Sequence, residues 1–334
     1  MKALTKAEWQ RMRPASAART SWPTLAVLGA DAVLFALASA LFGRGVLLSL
    51  CAWLLFTLAL VHLYIVDHEC VHRAVFANAK ANRWLGHLLG FALLYPFLQR
   101  RRSHLEHHAF AGSVTRDPAS ARAAARFASL SPRALVVLDV MWRCGVPFLA
   151  LNERVGLWLD PFYRTHRSAA ARAERRAGLL YAAGYATLAC LLVRHGALGL
   201  GLTLYLPALG ALLFVEELIN LPHHLHDSVR PELSPLWEQT VVTHSCADLP
   251  LWSKVVLLHF NLHSAHHVFP EAPWHALPAL ERALVSRGLV RRVEHELRWS
   301  LRERRTSFRE AFRDYFTPES GARARSNHEF PDTD

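Results

Sequence analysis

The sequence predicts an all-α integral membrane protein with four transmembrane helices in two hairpins. The first observation is composition: 52% of the 334 residues are hydrophobic and 19% are charged, with a mean hydropathy of +0.13. The second is a set of four apolar runs. At 1.5 Å per residue, about 20 apolar residues cross a hydrocarbon core of about 30 Å. A soluble domain of this length does not need such runs, so a membrane protein is favoured.

The apolar runs come in two pairs, each joined by a short basic turn. Residues 24–42 and 46–66 form the first predicted hairpin, around Gly43-Arg44-Gly45, and residues 177–193 and 199–218 form the second, around Arg194-His195-Gly196. Residues 84–98 are apolar over too short a length to cross and stop at Pro96, which predicts an interfacial or re-entrant helix. Residues 119–176 predict amphipathic helices on the membrane surface.

The distribution of arginine predicts the orientation. The two turns between paired crossings carry few basic residues, whereas the remaining arginine-rich segments fall on the opposite face, which the positive-inside rule places in the cytoplasm. We therefore expect a cytoplasmic N-terminal segment (1–23), a membrane domain (24–275) and a cytoplasmic C-terminal helical segment (276–334) with a disordered tail past Pro318. The formal net charge of +11 suits a lipid bilayer or an acidic partner. No nucleic-acid motif accompanies this charge, so we expect no nucleic-acid partner.

Histidine is the most unusual feature of the sequence, with 20 copies. Three clusters stand out: His68-Glu69-Cys70-Val71-His72, His104-Leu105-Glu106-His107-His108 and His263-Ser264-Ala265-His266-His267. On a helix, the first, fourth and fifth residues of H-x-x-H-H share one stripe. Zero or two crossings separate successive clusters, so all three emerge on the same face. Eight histidines exceed the four ligands of one zinc site, which predicts two metal ions; imidazole suits zinc, copper, iron or nickel, so their identity stays open here.

In this order, and flanked by two transmembrane hairpins, the three clusters resemble those of the membrane fatty-acid desaturase family. The resemblance covers residues 24–275 and includes the phrase HFNLHSAHHVFP from His259 to Pro270. It implies a non-haem di-iron centre, held almost wholly by histidine in a cytoplasmic helical cap, that uses O2 as co-substrate to remove hydrogens from an acyl chain. The implied substrate is a fatty-acyl lipid, an acyl-CoA or an acyl-carrier-protein thioester. No catalytic residue beyond the metal ligands and no further cofactor site is implied.

The family also has an asparagine, bonded to a metal-bound water, four residues before a histidine near the end of the fourth crossing. Asn220 and His224 match this spacing, but Pro222 disturbs a helix, and His223 and His226 are rival ligands. The resemblance therefore implies a metal site made of His68, His72, His104, His107, His108, His224, His263, His266, His267 and Asn220. Metal-bound imidazoles usually donate their second N–H to a carboxylate. The carboxylates nearest in sequence are Asp67, Glu69, Glu106 and Asp227.

Three functions follow from these residues. The first is an acyl desaturase; the second is a hydroxylase, ketolase or epoxygenase on the same scaffold; the third, more distant, is a histidine-rich membrane metal transporter. A transporter would need polar ligands in the middle of the crossings, where the sequence has few. The chain has no flavin or nicotinamide fingerprint and no haem or iron–sulfur motif, so electrons would come from a separate ferredoxin or cytochrome of the b5 type. The arginine-rich composition suggests a bacterial inner membrane.

Overall fold

The computed structural model describes residues 3–13, 20–163, 168–224, 235–290 and 292–316. Within these residues the chain is mostly helical. The α-helices are α1 Lys6–Met12, α2 Trp22–Leu41, α3 Val46–Val71, α4 Ala79–Ala92, α5 Phe97–Phe110, α6 Pro118–Phe127, α7 Pro132–Arg143, α8 Phe148–Tyr163, α9 Ala169–Arg194, α10 Leu198–His224, α11 His263–Val268, α12 Leu277–Val285, α13 Glu296–Glu303 and α14 Phe308–Ala311.

Shorter elements connect the helices that follow α10. Two strands, β1 Ser245–Cys246 and β2 Arg292–Val293, pair in parallel, with Ser245 opposite Arg292. A π-helical turn spans Trp252–Val256. The 3₁₀ turns are Leu236–Val241, Trp274–Ala276 and Arg313–Tyr315.

Four helices of the described chain are long and apolar enough to cross a membrane: α2, α3, α9 and α10. This confirms the prediction of four helices that could span a membrane. Three of these helices extend past the apolar runs: α3 continues to Val71, α9 begins at Ala169 and α10 continues to His224. Hydropathy identifies only the apolar part of a helix. The helix itself can continue beyond that part where the protein provides partners for the polar side chains of the next turns.

Helix α3 is the centre of the fold, with α2 and α10 packed along it. Between α2 and α3 the chain reverses at Gly43 and Gly45, whose φ angles of +80° and +128° favour glycine. A buried polar contact also joins the two helices, because Asp31 Oδ1 lies 2.7 Å from His62 Nδ1. From residue 59 to residue 71 every side chain of α3 is buried, so its last turns are surrounded by protein on all sides.

The predicted interfacial helix over 84–98 is broken into two helices. Helix α4 ends at Ala92 and α5 begins at Phe97, because Pro96 has no N–H to continue the ladder and restricts the residue before it. Leu94 takes a positive φ of +53°, and Tyr95 N donates to Gly90 O at 2.7 Å. The chain therefore turns back at this point, and α5 runs beside α3.

The segment predicted to form amphipathic surface helices contains α6, α7 and α8. Helices α7 and α8 meet at a bend of 116°. Each exposes an apolar face, with Val136, Val137 and Val140 on α7 and Leu151 and Val155 on α8. Exposed aliphatic stripes next to membrane-length helices fit helices that lie at an interface.

Candidate metal centre

Nine histidines meet where four helices come together. His68 lies in the last turn of α3 and His72 is its C-cap. Helix α5 carries the second cluster, α11 carries the third, and His224 is the last residue of α10. Imidazoles that are distant in sequence meet here, as His108 of α5 does with His266 of α11 and His224 of α10 does with His263 of α11.

The nine imidazoles form two groups, in each of which one ring nitrogen per residue lies within 4.8 Å of all the others. The first group is His68, His72, His104, His108 and His266, and the second is His107, His224, His263 and His267. Each H-x-x-H-H motif is divided between the groups: the first and fifth histidines enter one group and the fourth enters the other. The three histidines of each motif, predicted to share one stripe of a helix, therefore belong to two adjacent groups.

The nitrogen positions fit a metal ion in each group. In the first, His108 Nε2 lies 3.1 Å from Nε2 of both His104 and His266. In the second, His224 Nε2 lies 2.9 Å from His263 Nε2 and 3.2 Å from His107 Nε2. Two nitrogens bound at right angles, each about 2.1 Å from one ion, lie about 3.0 Å apart.

Histidine ring nitrogens without a hydrogen-bond partner also support a metal ion in the first group. The Nε2 atoms of His68 and His72 are buried and have no hydrogen-bond partner. Burying a polar atom without a partner costs free energy, unless a bound ligand such as a metal ion pairs with it. A metal ion in the first group would satisfy both.

Burial keeps most of these imidazoles neutral. Burial first, and then neighbouring histidines and arginines, lower the pKa values of His72, His104, His108, His263 and His267 well below the usual 6.5. Burial lowers the pKa of His266 to about 3. Neutral imidazole is the form that binds a metal, so the lowered pKa values of these six side chains favour the ligating form.

His107 has a different environment because a carboxylate contacts it. Burial alone would lower the pKa of His107, but the Asp117 carboxylate raises it overall through its charge and a hydrogen bond from His107 Nδ1. The other oxygen of Asp117 caps α6 by accepting from Ala119 N and Ser120 N, each at 3.0 Å. Asp117 therefore fixes the His107 tautomer so that Nε2 faces the second group.

Gln239 orients the His267 ring as Asp117 orients the His107 ring. Its Oε1 accepts from His267 Nδ1 at 3.0 Å, and its Nε2 donates to the His108 carbonyl at 2.8 Å. It is buried in the 3₁₀ turn Leu236–Val241. One side chain thus connects the loop after α10 with a histidine of each group.

The sequence-based choice of supporting carboxylates was wrong for the three that the structure describes. Asp67 bonds to Arg100, Glu69 accepts from Trp274 N, and Glu106 bonds to Arg102. Asp227 lies outside the described residues. The pattern Asp117-Pro118 does predict a helix cap, but nothing in its spacing places it beside His107.

The last turn of α10 distinguishes two of the rival histidines. His224 belongs to the second group, whereas His223 Nδ1 donates to the His244 carbonyl at 2.9 Å and its ring stacks on His263. The helix continues through Pro222, so the expected disturbance does not end it. His226 lies outside the described residues. Asn220 lies one helical turn before His224, and its amide nitrogen donates to Tyr64 Oη at 3.1 Å and to the Glu216 carbonyl at 2.6 Å.

A cavity of about 280 Å³ opens onto both groups. His68 and His104 of the first group and His107, His224 and His263 of the second all line it, and Asn220 lies in the same wall. Its apolar lining includes Leu149 and Leu157 of α8, Leu221 of α10 and Phe312, the C-cap of α14. A small apolar group in this cavity would contact both groups of imidazoles.

The fold and this geometry define a class of protein: a helical membrane protein with a histidine-rich site suited to metal. The sequence model described as "Fatty acid desaturase" matches residues 44–293, most of the chain. The chain belongs to the fatty acid desaturase family, whose members are oxidoreductases.

Individual relatives support the assignment at low identity. The chain is 26% identical over 244 residues to the Delta(12) fatty acid desaturase of Calendula officinalis, covering 68% of this chain and 63% of the relative. It is 24% identical over 235 residues to the sn-1 oleoyl-lipid 12-desaturase of Anabaena variabilis, covering 66% and 64%. It is also 26% identical over 258 residues to the oleoyl-12-hydroxylase of Ricinus communis, covering 70% and 65%. The matches span a little under two thirds of these relatives.

Proposed function

We propose that the chain is an O2-dependent fatty-acyl desaturase with two non-haem iron ions, one in each histidine group. The observation that carries this proposal is the gathering of nine imidazoles into groups of five and four, with histidines of both groups lining one cavity. The metal set comprises those nine histidines, with Asn220 beside them as the residue that positions a water on the metal. Family membership supports iron and an acyl substrate over the metals and cargo of a transporter.

The reaction that fits the site removes two hydrogens from neighbouring methylenes, and with two electrons and two protons it reduces O2 to two waters. The two irons, when bound, supply the oxidising power that acid–base groups cannot bring to an unactivated C–H bond. The protein's own residues orient the histidine rings and hold the acyl chain. Asp117 and Gln239 fix two rings, and the apolar wall with Leu149 and Leu157 receives the acyl chain and excludes water.

We further propose that α2 with α3 and α9 with α10 form two transmembrane hairpins whose histidine ends face the cytoplasm of a bacterial inner membrane. The arginine distribution supports this orientation. We retain in this proposal the division predicted from sequence, with an N-terminal segment (1–23), a membrane domain (24–275) and a C-terminal segment (276–334). Helices α5, α11 and the segments packed on them form the cytoplasmic cap.

Electrons and substrate come from separate partners in this proposal. A small acidic ferredoxin or a b5-type cytochrome would dock on the basic cytoplasmic surface by electrostatic attraction. The acyl group would arrive as a lipid, a CoA thioester or a carrier-protein thioester. The fatty-acid relatives support the acyl chain itself.

A hydroxylase is the second candidate, because an oleoyl-12-hydroxylase is among the relatives at the same identity as a desaturase. The two reactions share the metal site and differ in whether the carbon loses a second hydrogen or gains oxygen. The residues around the cavity are compatible with both. Product mass separates them.

The experiment is expression of the full chain in a bacterial host, followed by mass spectrometry of total acyl chains. Desaturation gives products lighter by two hydrogens, and hydroxylation gives products heavier by one oxygen. His107→Ala should abolish the product, while His87→Ala, outside both groups and bonded to Tyr181, should keep it. Product from His107→Ala at the wild-type level would contradict the proposal.

A further inference from the structure

The three consecutive arginines at the start of α5 have three different environments. Arg100 is buried, bonds to Asp67 and stacks over Tyr64 at 4.3 Å. Arg102 bonds to Glu106, Asp160 and Glu174. Arg101 is half-buried, and no carboxylate among the described residues pairs with it. The first and third arginines are therefore part of the protein's internal packing, and the second is available to a ligand.

Arg101 lines a recess of about 580 Å³ between α4, α5 and the start of α9, behind α5 from the reaction cavity. The basic side chains among its described lining are Arg73, Lys80, Arg83, Arg101 and Arg102. Its two carboxylates, Glu106 and Glu174, both bond to Arg102. The recess therefore carries an excess of positive charge.

The basic side chains repel one another. Burial, and then the charges of Arg73 and Arg83, lower the pKa of Arg101. Like charges held together in a recess cost free energy that an anion would recover. Guanidinium groups suit phosphate in particular, because their N–H donors match its oxygens in pairs.

The recess lies at the level where apolar surface begins. One turn along α4 from Lys80, Trp84 is 76% exposed, and Leu88 follows at 67%. On α9, Glu174 in the recess is followed by the exposed Leu179 and Leu180 of the spanning segment. Basic groups beside an exposed tryptophan and leucines match the headgroup layer of a bilayer.

We propose that this recess binds the phosphate of an anionic phospholipid headgroup, held by Lys80, Arg83 and Arg101. The lipid acyl chains would lie along the exposed faces of α4 and α9. The site is separate from the histidine cavity and requires neither metal nor turnover. It gives the protein a lipid contact at the base of α5, the helix that carries three of the nine histidines.

The test is a lipid titration of the delipidated full chain in neutral detergent, with bound phosphatidylglycerol counted by native mass spectrometry. We expect the double variant Arg83→Gln/Arg101→Gln to weaken phosphatidylglycerol binding at least tenfold. The exposed Lys80→Gln should weaken it by a smaller factor. Arg126→Gln, an exposed arginine on α6, is the matched control and should bind as the wild type does.

Equal binding by the double variant and the wild type would overturn the proposal. Inorganic phosphate and coenzyme A are the comparison probes. If either binds the wild type as tightly as phosphatidylglycerol and loses binding in the same double variant, the recess is a phosphate site and the lipid assignment is wrong. The measurement needs no iron, so a negative result for lipid binding would not contradict the proposed desaturase reaction.

Discussion

Replacing Asp117 with asparagine should weaken iron binding about 10- to 100-fold while leaving α6 in place. The amide oxygen can still accept from Ala119 N and Ser120 N, so the cap is kept. The amide nitrogen then faces His107 Nδ1, where the carboxylate oxygen had been. Two N–H donors cannot bond to each other, so the His107 proton is favoured on Nε2, the atom that would bind the metal.

The magnitude follows from losing one oriented ligand of four in the second group. Loss of such a supporting partner typically lowers metal affinity 10- to 100-fold, which is about 1.4 to 2.7 kcal/mol. The assay is competition for ferrous iron between the purified full chain and a chromogenic chelator. Thermal unfolding in the same detergent checks that the fold persists.

Asp139→Asn is the matched control. Asp139 also accepts from a backbone N–H, that of Phe308 at 2.8 Å, and it bonds to Arg143, but it lies on α7 away from the histidines. Its replacement should leave iron affinity unchanged. If Asp117→Asn competes for iron as well as the wild type does, the carboxylate does not orient His107 for a metal and the reasoning fails.

Three further predictions concern the supports of the site. Arg100→Gln leaves the buried Asp67 carboxylate without its cation, so denaturant unfolding should show a loss of about 3 to 5 kcal/mol; a loss below about 1 kcal/mol would contradict the pairing. Gly90→Ala places a Cβ against the Tyr95 carbonyl and should lower the unfolding midpoint, whereas Gly210→Ala, with open space around it, should not. Removing iron with a chelator should lower the midpoint, because a ligand at 1,000 times its Kd stabilises the folded state by about 4 kcal/mol, and adding iron back should restore it.

The sequence allowed prediction of the membrane helices and of the histidines as a set, because both depend on local patterns. Apolar runs follow from the thickness of the bilayer, and H-x-x-H-H follows from helix periodicity. The four long helices confirm the runs at α2, α3, α9 and α10. The division of each motif between two groups was not predictable, because it depends on how the histidines of α5 and α11 meet in the folded protein, as His108 and His266 do.

The side chains that hydrogen-bond to the histidine rings could not be predicted from the sequence. Asp117 reaches His107 across the turn after α5, and Gln239 reaches His267 from a loop that has no motif. Two of the carboxylates nearest in sequence bond to arginines instead, Asp67 to Arg100 and Glu106 to Arg102. Proximity along the chain is a weak guide wherever arginines compete for the same carboxylates.

The most direct test of the central claim is the iron content of the full chain, purified from iron-supplemented cells and measured by inductively coupled plasma mass spectrometry. Two separate groups predict about two irons per chain. His266→Ala, in the group of five, and His267→Ala, in the group of four, should each retain about one, and His87→Ala should retain two. The same iron content in all four proteins, or no iron in the wild type, would contradict a histidine-held di-iron site.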